Sequence, residues 1–71
     1  MNKEVLKNNL KVYRAKFGLT QEELAIKVGV TRKTINTIEN GIFIPSALLA
    51  LKIAKVFNET VENMFYIEGG I

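Results

Sequence analysis

Residues 21–40 read QEELAIKVGVTRKTINTIEN, and this stretch decides the fold of the 71-residue chain. Apolar residues recur three and four positions apart on both sides of Gly29, which predicts two short helices joined by a tight turn. A steep crossing of two helices needs a small residue at the contact, and Ala25 precedes the glycine by four positions. In the second helix Ile35 and Ile38 share one side, and polar residues cover the other. This spacing alone also fits any helical hairpin of a small bundle.

Capping residues and periodicity predict the other helices. The first segment predicts an amphipathic helix over about residues 3–17. Thr20 opens a second helix with the pattern of a capping box. Three further residues are expected to cap the third, fourth and fifth helices: Thr31, Ser46 and Thr60.

The fourth helix and the tail bear on the fold class. The sequence ALLALKIAKVF is apolar around most of its circumference, so it predicts a central core helix whose buried residues include Leu48 and Leu51. The tail FYIEGGI fits either a short strand or a frayed end. The predicted fold is an all-α, compact five-helix bundle with a helix-turn-helix and room for a short β extension at the termini. We expect one domain over residues 1–71, with its core at about 7–66.

The composition excludes several classes of function. The chain has no Cys and no His, so disulfides, the usual zinc sites and Ser-His or Cys-His catalysis cannot be built. Its acidic residues lie on stretches typical of solvated helix faces, termini or ion-pair partners. We therefore expect no enzymatic activity, no cofactor and no small-molecule substrate. No apolar run approaches the ~20 residues of a membrane span, and no signal peptide is evident, so a cytoplasmic protein is expected.

The charge distribution favours a polyanionic partner. The net charge is +3. Residues 1–16 carry five basic residues and one acidic residue, whereas residues 59–71 carry three glutamates and no base. A positive N-terminal half with an acidic tail suggests one face that meets a polyanion. The alternative is that Lys3, Lys7 and Lys11, spaced by four, form one solvated helix stripe.

The outward side of the third helix carries groups that suit the edges of DNA bases. Four residues lie there: Arg32, Lys33, Asn36 and Thr37. Arginine and lysine suit the acceptors of guanine, and asparagine suits the acceptor and donor pair of adenine. Threonine offers a hydroxyl to a base or a methyl group to thymine. Such a helix is shaped to enter the major groove, so we expect double-stranded DNA as the partner and these four residues as base readers.

Residues 21–41 follow the pattern Q-E-E-L-A-x-x-x-G-V-T-x-x-x-I-x-x-I-E-N-G. This pattern resembles the helix-turn-helix of the Cro/CI-type (XRE) transcriptional regulators of bacteria, archaea and phages. The resemblance extends from about Asn9 to Phe65 and includes the Pro45-Ser46 step. It implies a lambda repressor-like DNA-binding domain and a sequence-specific regulator of the short, single-domain kind.

The resemblance also implies roles for individual residues. Positions that lie against phosphates in that family match four residues of this chain: Thr20, Gln21, Thr31 and Asn40. Lys11, in the basic N-terminal segment, is a further candidate for a phosphate contact. Positions matching Arg14 and Glu39 form, in related domains, a partly buried ion pair between the first and third helices. The alternative is two separately solvated charges.

One loop departs from the family pattern. This chain has Ile42, Phe43 and Ile44 where relatives commonly place polar or basic residues, which puts the backbone contacts expected there in doubt. Phe43 is expected to pack under the loop, and at least one isoleucine is expected to pack in the core. The alternative is a protein-facing patch.

A domain of this size makes few base contacts, so we expect a homodimer on a palindromic operator with half-sites ~34 Å apart. The dimer surface is expected in the fifth helix and the tail: Val61, Met64, Phe65, Tyr66 and Ile67. Met64 and Phe65 have the alternative of completing the monomer core. Repression is favoured because occupying a promoter needs no further surface. The rival interpretation is a protein-interaction module or antitoxin with the same fold.

Overall fold

A computed structural model describes residues 3–70. The elements in chain order are β1 (Val5–Asn8), α1 (Leu10–Phe17), α2 (Gln21–Val28), α3 (Arg32–Glu39), α4 (Ala47–Val56), α5 (Val61–Met64) and β2 (Phe65–Glu68). They form a small helix-turn-helix fold that is mostly helical, with one two-stranded sheet. Within residues 3–70, no helix is long and apolar enough to cross a membrane.

Four helices begin at the predicted capping residues. The hydroxyl oxygens of Thr20, Thr31, Ser46 and Thr60 each accept a hydrogen bond from the backbone N–H three residues on, at 3.0, 3.3, 3.1 and 3.2 Å. Each hydroxyl satisfies one of the backbone donors that a helix N-terminus leaves without a partner. The structure therefore confirms the four helix starts that the sequence predicts.

The prediction of a helix over residues 3–17 is wrong in its first half. Residues Val5–Asn8 form β1, which pairs antiparallel with β2, and Val5 lies opposite Glu68. The side chain of Asn8 ends the strand, because its Oδ1 accepts from the N–H of Leu10 at 3.1 Å and its Nδ2 donates to the carbonyl of Ile38 at 3.0 Å. The helix then begins at Leu10. Lys3 and Lys7 therefore share no helix stripe with Lys11, and the tail is a strand.

The core consists of apolar residues from all five helices and the sheet. Its buried members are Leu10, Leu24, Ala25, Val28, Ile35, Ile38, Leu49, Ile53, Ala54, Phe57, Met64 and Phe65. The expectation that Leu48 and Leu51 are buried is wrong, because 69% and 58% of their surfaces are exposed. A small domain has too little interior to cover every side of α4. Only one side of that helix lies in the core.

Candidate nucleic-acid interface

The helix pair α2–α3 is set by the turn between them. Ala25 is 1% exposed at the contact, and its carbonyl accepts from the N–H of Val30 at 3.0 Å. Gly29 adopts φ +76°, a left-handed conformation that ends α2 with no Cβ strain. Ile35 and Ile38 point into the core and are 0% and 1% exposed. The opposite side of α3 is consequently presented to solvent.

The structure brings the four predicted base readers together on that outward side. Arg32 and Lys33 are exposed in the first turn of α3, and Asn36 and Thr37 are half-buried in the next turn. No acidic residue lies in the first turn of α3. The N-terminal end of this helix therefore combines its positive dipole with two cationic side chains, which favours an anionic partner.

Hydrogen bonds within α3 define what two of these side chains can offer. The hydroxyl of Thr37 donates to the carbonyl of Thr34 at 2.9 Å, so its proton is already used. The side-chain nitrogen of Asn40 donates to the backbone and side-chain oxygens of Asn36 at 2.9 and 2.5 Å. Thr37 can thus present a methyl group or accept a hydrogen bond, and the amide of Asn36 is held in one orientation by Asn40.

An ion pair joins α1 to the end of α3. Arg14 donates from Nε to Oε2 of Glu39 at 2.6 Å and from Nη2 to Oε1 at 3.1 Å. The two side chains are 15% and 5% exposed, so they are not separately solvated charges. Arg14 also donates to the carbonyl of Leu19 at 2.9 Å. The hydrogen bonds to Glu39 raise the pKa of the Arg14 guanidinium above its ordinary value.

Gln21 extends this ion pair to the base-reading side, an arrangement that the sequence analysis missed. Its Nε2 donates to Oε1 of Glu39 at 3.0 Å, and its Oε1 accepts from Nη1 of Arg32 at 3.3 Å. Gln21 and Arg32 are each the first residue of a helix. That shared position was the only feature of the sequence that could have indicated the contact between Gln21 and Arg32. It predicts the contact only when the crossing angle of α2 and α3 is known. Gln21 thereby links the side chain of Arg32 to the mostly buried carboxylate of Glu39.

The predicted phosphate contacts lie on three different helices. Thr20 and Thr31 cap α2 and α3, and Asn40 follows the last residue of α3. Lys11 is exposed on α1. The N-terminus of α2 has a less positive potential for binding a phosphate than the N-terminus of α3, because Glu22 and Glu23 lie in the first turn of α2. A hydrogen bond from the backbone N–H of Thr20 lowers the pKa of Glu23, which keeps that carboxylate charged.

The loop between α3 and α4 does not pack as expected. Ile42, Phe43 and Ile44 are 75%, 47% and 70% exposed, so no isoleucine of this loop enters the core. The backbone N–H groups of Ile42 and Phe43 both donate to the carbonyl of Thr37, at 2.9 and 3.2 Å. These bonds fold the loop tightly over the end of α3 and leave its side chains outside.

Two of the five residues expected at a dimer surface are buried in the structure. Met64 and Phe65 are 0% and 6% exposed, so they complete the monomer core and cannot contact a second copy. Tyr66 and Ile67 are 44% and 67% exposed on β2, and Val61 is half-buried on α5. Periodicity could not separate the buried from the exposed residues, since the change from helix to strand occurs between Met64 and Phe65.

Within residues 3–70, no three acidic, His or Cys side chains lie close enough together to hold a metal ion.

Comparisons with known proteins agree with this geometry. A family model described as helix-turn-helix matches residues 10–62. The chain is 51% identical over 63 residues to the uncharacterized HTH-type transcriptional regulator YgzD of Bacillus subtilis, covering 89% of this chain and 96% of that protein. It is 54% identical over 63 residues to an uncharacterized HTH-type transcriptional regulator of Methanocaldococcus jannaschii, with the same coverages of 89% and 96%. The solution structure of the SOS-response transcriptional repressor LexA from Eubacterium rectale superposes with a TM-score of 0.73 at 38% identity, covering 78% of this chain and 58% of that one.

Proposed function

The chain belongs to the Cro/CI-type (XRE) helix-turn-helix family, and from this premise we propose that it is a sequence-specific transcriptional repressor acting in the cytoplasm. The observation that carries the proposal is the outward side of α3, where cationic and amide side chains lie together opposite the buried Ile35 and Ile38. In this proposal α3 enters the major groove of double-stranded DNA. The protein has no catalytic role and needs no cofactor.

We assign two kinds of DNA contact, to base edges and to phosphates. The base readers are Arg32, Lys33, Asn36 and Thr37. The phosphate contacts are Thr20, Gln21, Thr31, Asn40 and Lys11. Base contacts carry sequence information, whereas phosphate contacts set the position and orientation of the protein on the duplex. The hydrogen bond from Arg32 to Gln21 restricts the arginine side chain before DNA binds, so less side-chain freedom is lost on binding.

A homodimer supplies the second half-site. One copy of α3 spans only a few base pairs, so two copies on a palindromic operator are needed for useful selectivity. The domain measures 39 × 22 × 21 Å, so two copies whose recognition helices lie ~34 Å apart are able to touch. The surface proposed for this contact consists of Val61, Tyr66 and Ile67. Occupying a promoter as a dimer is sufficient for repression.

Selection from a random duplex library with the purified protein tests the proposal. We expect enrichment of a palindromic site whose affinity falls steeply with salt, because bound phosphates release their counterions. Arg32→Ala should cost ~1–3 kcal/mol and relax specificity at one position, whereas Lys11→Ala should weaken all sequences alike. Lys55 is an exposed cation on α4, so Lys55→Ala is the matched control. It should change neither the affinity for the operator nor the sequence specificity. Failure to enrich any duplex refutes the proposal.

A protein-interaction module is the second candidate, and the exposed apolar loop at 42–44 is the observation that favours it. An antitoxin with this fold would bind a partner protein through such a patch. Co-purification of a stoichiometric partner, together with no affinity for any duplex, would favour this candidate. A salt-sensitive complex with a palindromic duplex favours the regulator.

A further inference from the structure

The loop between α3 and α4 presents apolar side chains beside the base readers. A shallow hollow of about 330 Å³ adjoins α3, and it is lined by Thr31, Lys33, Thr34, Thr37, Ile42 and Phe43. Ile42 and Phe43 thus share a surface with two of the proposed base readers, whereas Ile44 does not line this hollow. Exposed apolar surface that continues a proposed interface is expected to be covered when the partner binds.

The chemistry of this loop is unsuited to a phosphate. The side chains of Ile42 and Phe43 carry no donor, and their backbone N–H groups are already bonded to the carbonyl of Thr37 at 2.9 and 3.2 Å. The hydroxyl proton of Thr37 is likewise used by the carbonyl of Thr34. A phosphate placed against Ile42 and Phe43 would lose water there and gain no hydrogen bond from this loop, which is costly. Side-chain donors that line the same hollow, such as Thr31 and Lys33, belong to the N-terminal end of α3.

The major groove offers one apolar group, the C5-methyl of thymine. We propose that Ile42, supported by Phe43, contacts this methyl group of a thymine in each half-site and is therefore a specificity-determining residue. The inference rests on the proposed function, because a thymine methyl is within reach only if α3 lies in the major groove. Burying a methyl-sized group against an isoleucine favours thymine over cytosine and uracil at that position.

Replacing thymidine by deoxyuridine in the selected operator tests the contact, because this change removes only the methyl group. Each thymine is replaced in turn in both half-sites, and the Kd of the wild-type protein is measured by fluorescence anisotropy. At one thymine we expect a loss of about fourfold per half-site, or roughly 15-fold for both, from the free energy of burying one methyl-sized group. In Ile42→Ala this difference between the two duplexes should fall below about twofold.

Ile44→Ala is the matched control, since Ile44 is a similarly exposed isoleucine two positions away that does not line the hollow. It should keep the full difference between thymine and uracil. The slope of log Kd against log salt should be the same in Ile42→Ala as in the wild type, because no phosphate contact is lost.

Several results would overturn the inference. One is a wild-type protein that binds its operator with no methyl-sensitive thymine, and another is an Ile42→Ala protein that keeps the difference. A third is an equal loss in Ile44→Ala. Unchanged operator affinity in Ile42→Ala, with release of a co-purified protein, would assign the loop to a protein partner. A wild-type protein that binds no duplex at all would instead refute the proposed function, and the inference would fall with it.

Discussion

Removing Arg14 tests the energetic role of the ion pair between α1 and α3. The substitution Arg14→Met keeps much of the aliphatic stem and deletes the guanidinium, which makes two hydrogen bonds to Glu39 at 2.6 and 3.1 Å and one to the carbonyl of Leu19 at 2.9 Å. The Glu39 carboxylate, 5% exposed, would then keep only the amide of Gln21 at 3.0 Å as a side-chain donor. A charge that is buried without its partner is strongly destabilising.

The burial of both side chains places this ion pair in the class for which a large loss is expected. Breaking a buried pair by removing one partner costs about 3–5 kcal/mol. A chain of 71 residues has a total stability of roughly 4–11 kcal/mol, so the variant should lie close to the threshold of unfolding. The double variant Arg14→Met/Glu39→Met should recover most of this loss, because two apolar side chains of similar size leave no charge without a partner.

Urea denaturation followed by circular dichroism measures these differences as changes in midpoint at constant slope. The control is Lys7→Met, which breaks the exposed pair between Lys7 and Glu68, at 3.6 Å with side chains 50% and 61% exposed. That change should cost less than about 1 kcal/mol. The reasoning is refuted if Arg14→Met costs no more than this control, or if the double variant is no more stable than Arg14→Met.

Three further predictions concern other contacts. Gln21→Ala should weaken operator binding by roughly fivefold, because Arg32 would lose its hydrogen bond to Gln21 and its side chain would have to be ordered on binding. The loss caused by Gln21→Ala should be smaller in a protein that already carries Arg32→Ala, and additive losses from the two substitutions would contradict the coupling. Hydrogen bonds from the side chains of Asn63 and Tyr13 lower the pKa of Glu59, so the melting temperature should fall as the pH drops below about 4.5. The hydrogen bond to Glu59 raises the pKa of Tyr13, so the melting temperature should also fall as the pH rises above about 10. Tyr13→Phe should remove the alkaline loss, and a melting profile identical to the wild type would exclude the contribution. Ile67→Asp should convert the dimer to a monomer in sedimentation experiments, and a dimer of unchanged affinity would contradict the proposed surface.

Local signals were sufficient for most of the fold. The capping threonines and Ser46 mark helix starts through bonds that span three residues, so the sequence predicts them without knowledge of the tertiary structure. Gly29 likewise marks the turn, because its conformation disfavours other residues. The Arg14–Glu39 pair came from the family resemblance, since residues 25 positions apart give no local signal of contact.

The errors arose where distant contacts decide the structure. Residues 5–8 have lysine and leucine spacings compatible with a helix, but pairing with a strand more than 50 residues away makes them extended. The exposure of Leu48 and Leu51 depends on which side of α4 the other helices cover. The bridge that Gln21 forms to Arg32 depends on a helix crossing that no pattern of residues specifies.

The sheet that joins the two ends of the described chain has a consequence for the order of folding. The pair Val5–Glu68 closes a loop of more than 60 residues, whereas α2 and α3 are neighbours along the chain. Loop-closure entropy makes the distant pairing the slower event, so we expect the helix-turn-helix to assemble first and the strands to join late. The N–H of Asn9 bonds to the carbonyl of Met64 at 2.9 Å beside this sheet. A nascent chain therefore completes its core only after residues 64–68 have been synthesised, and the strand pair is where we expect the native state to begin to open.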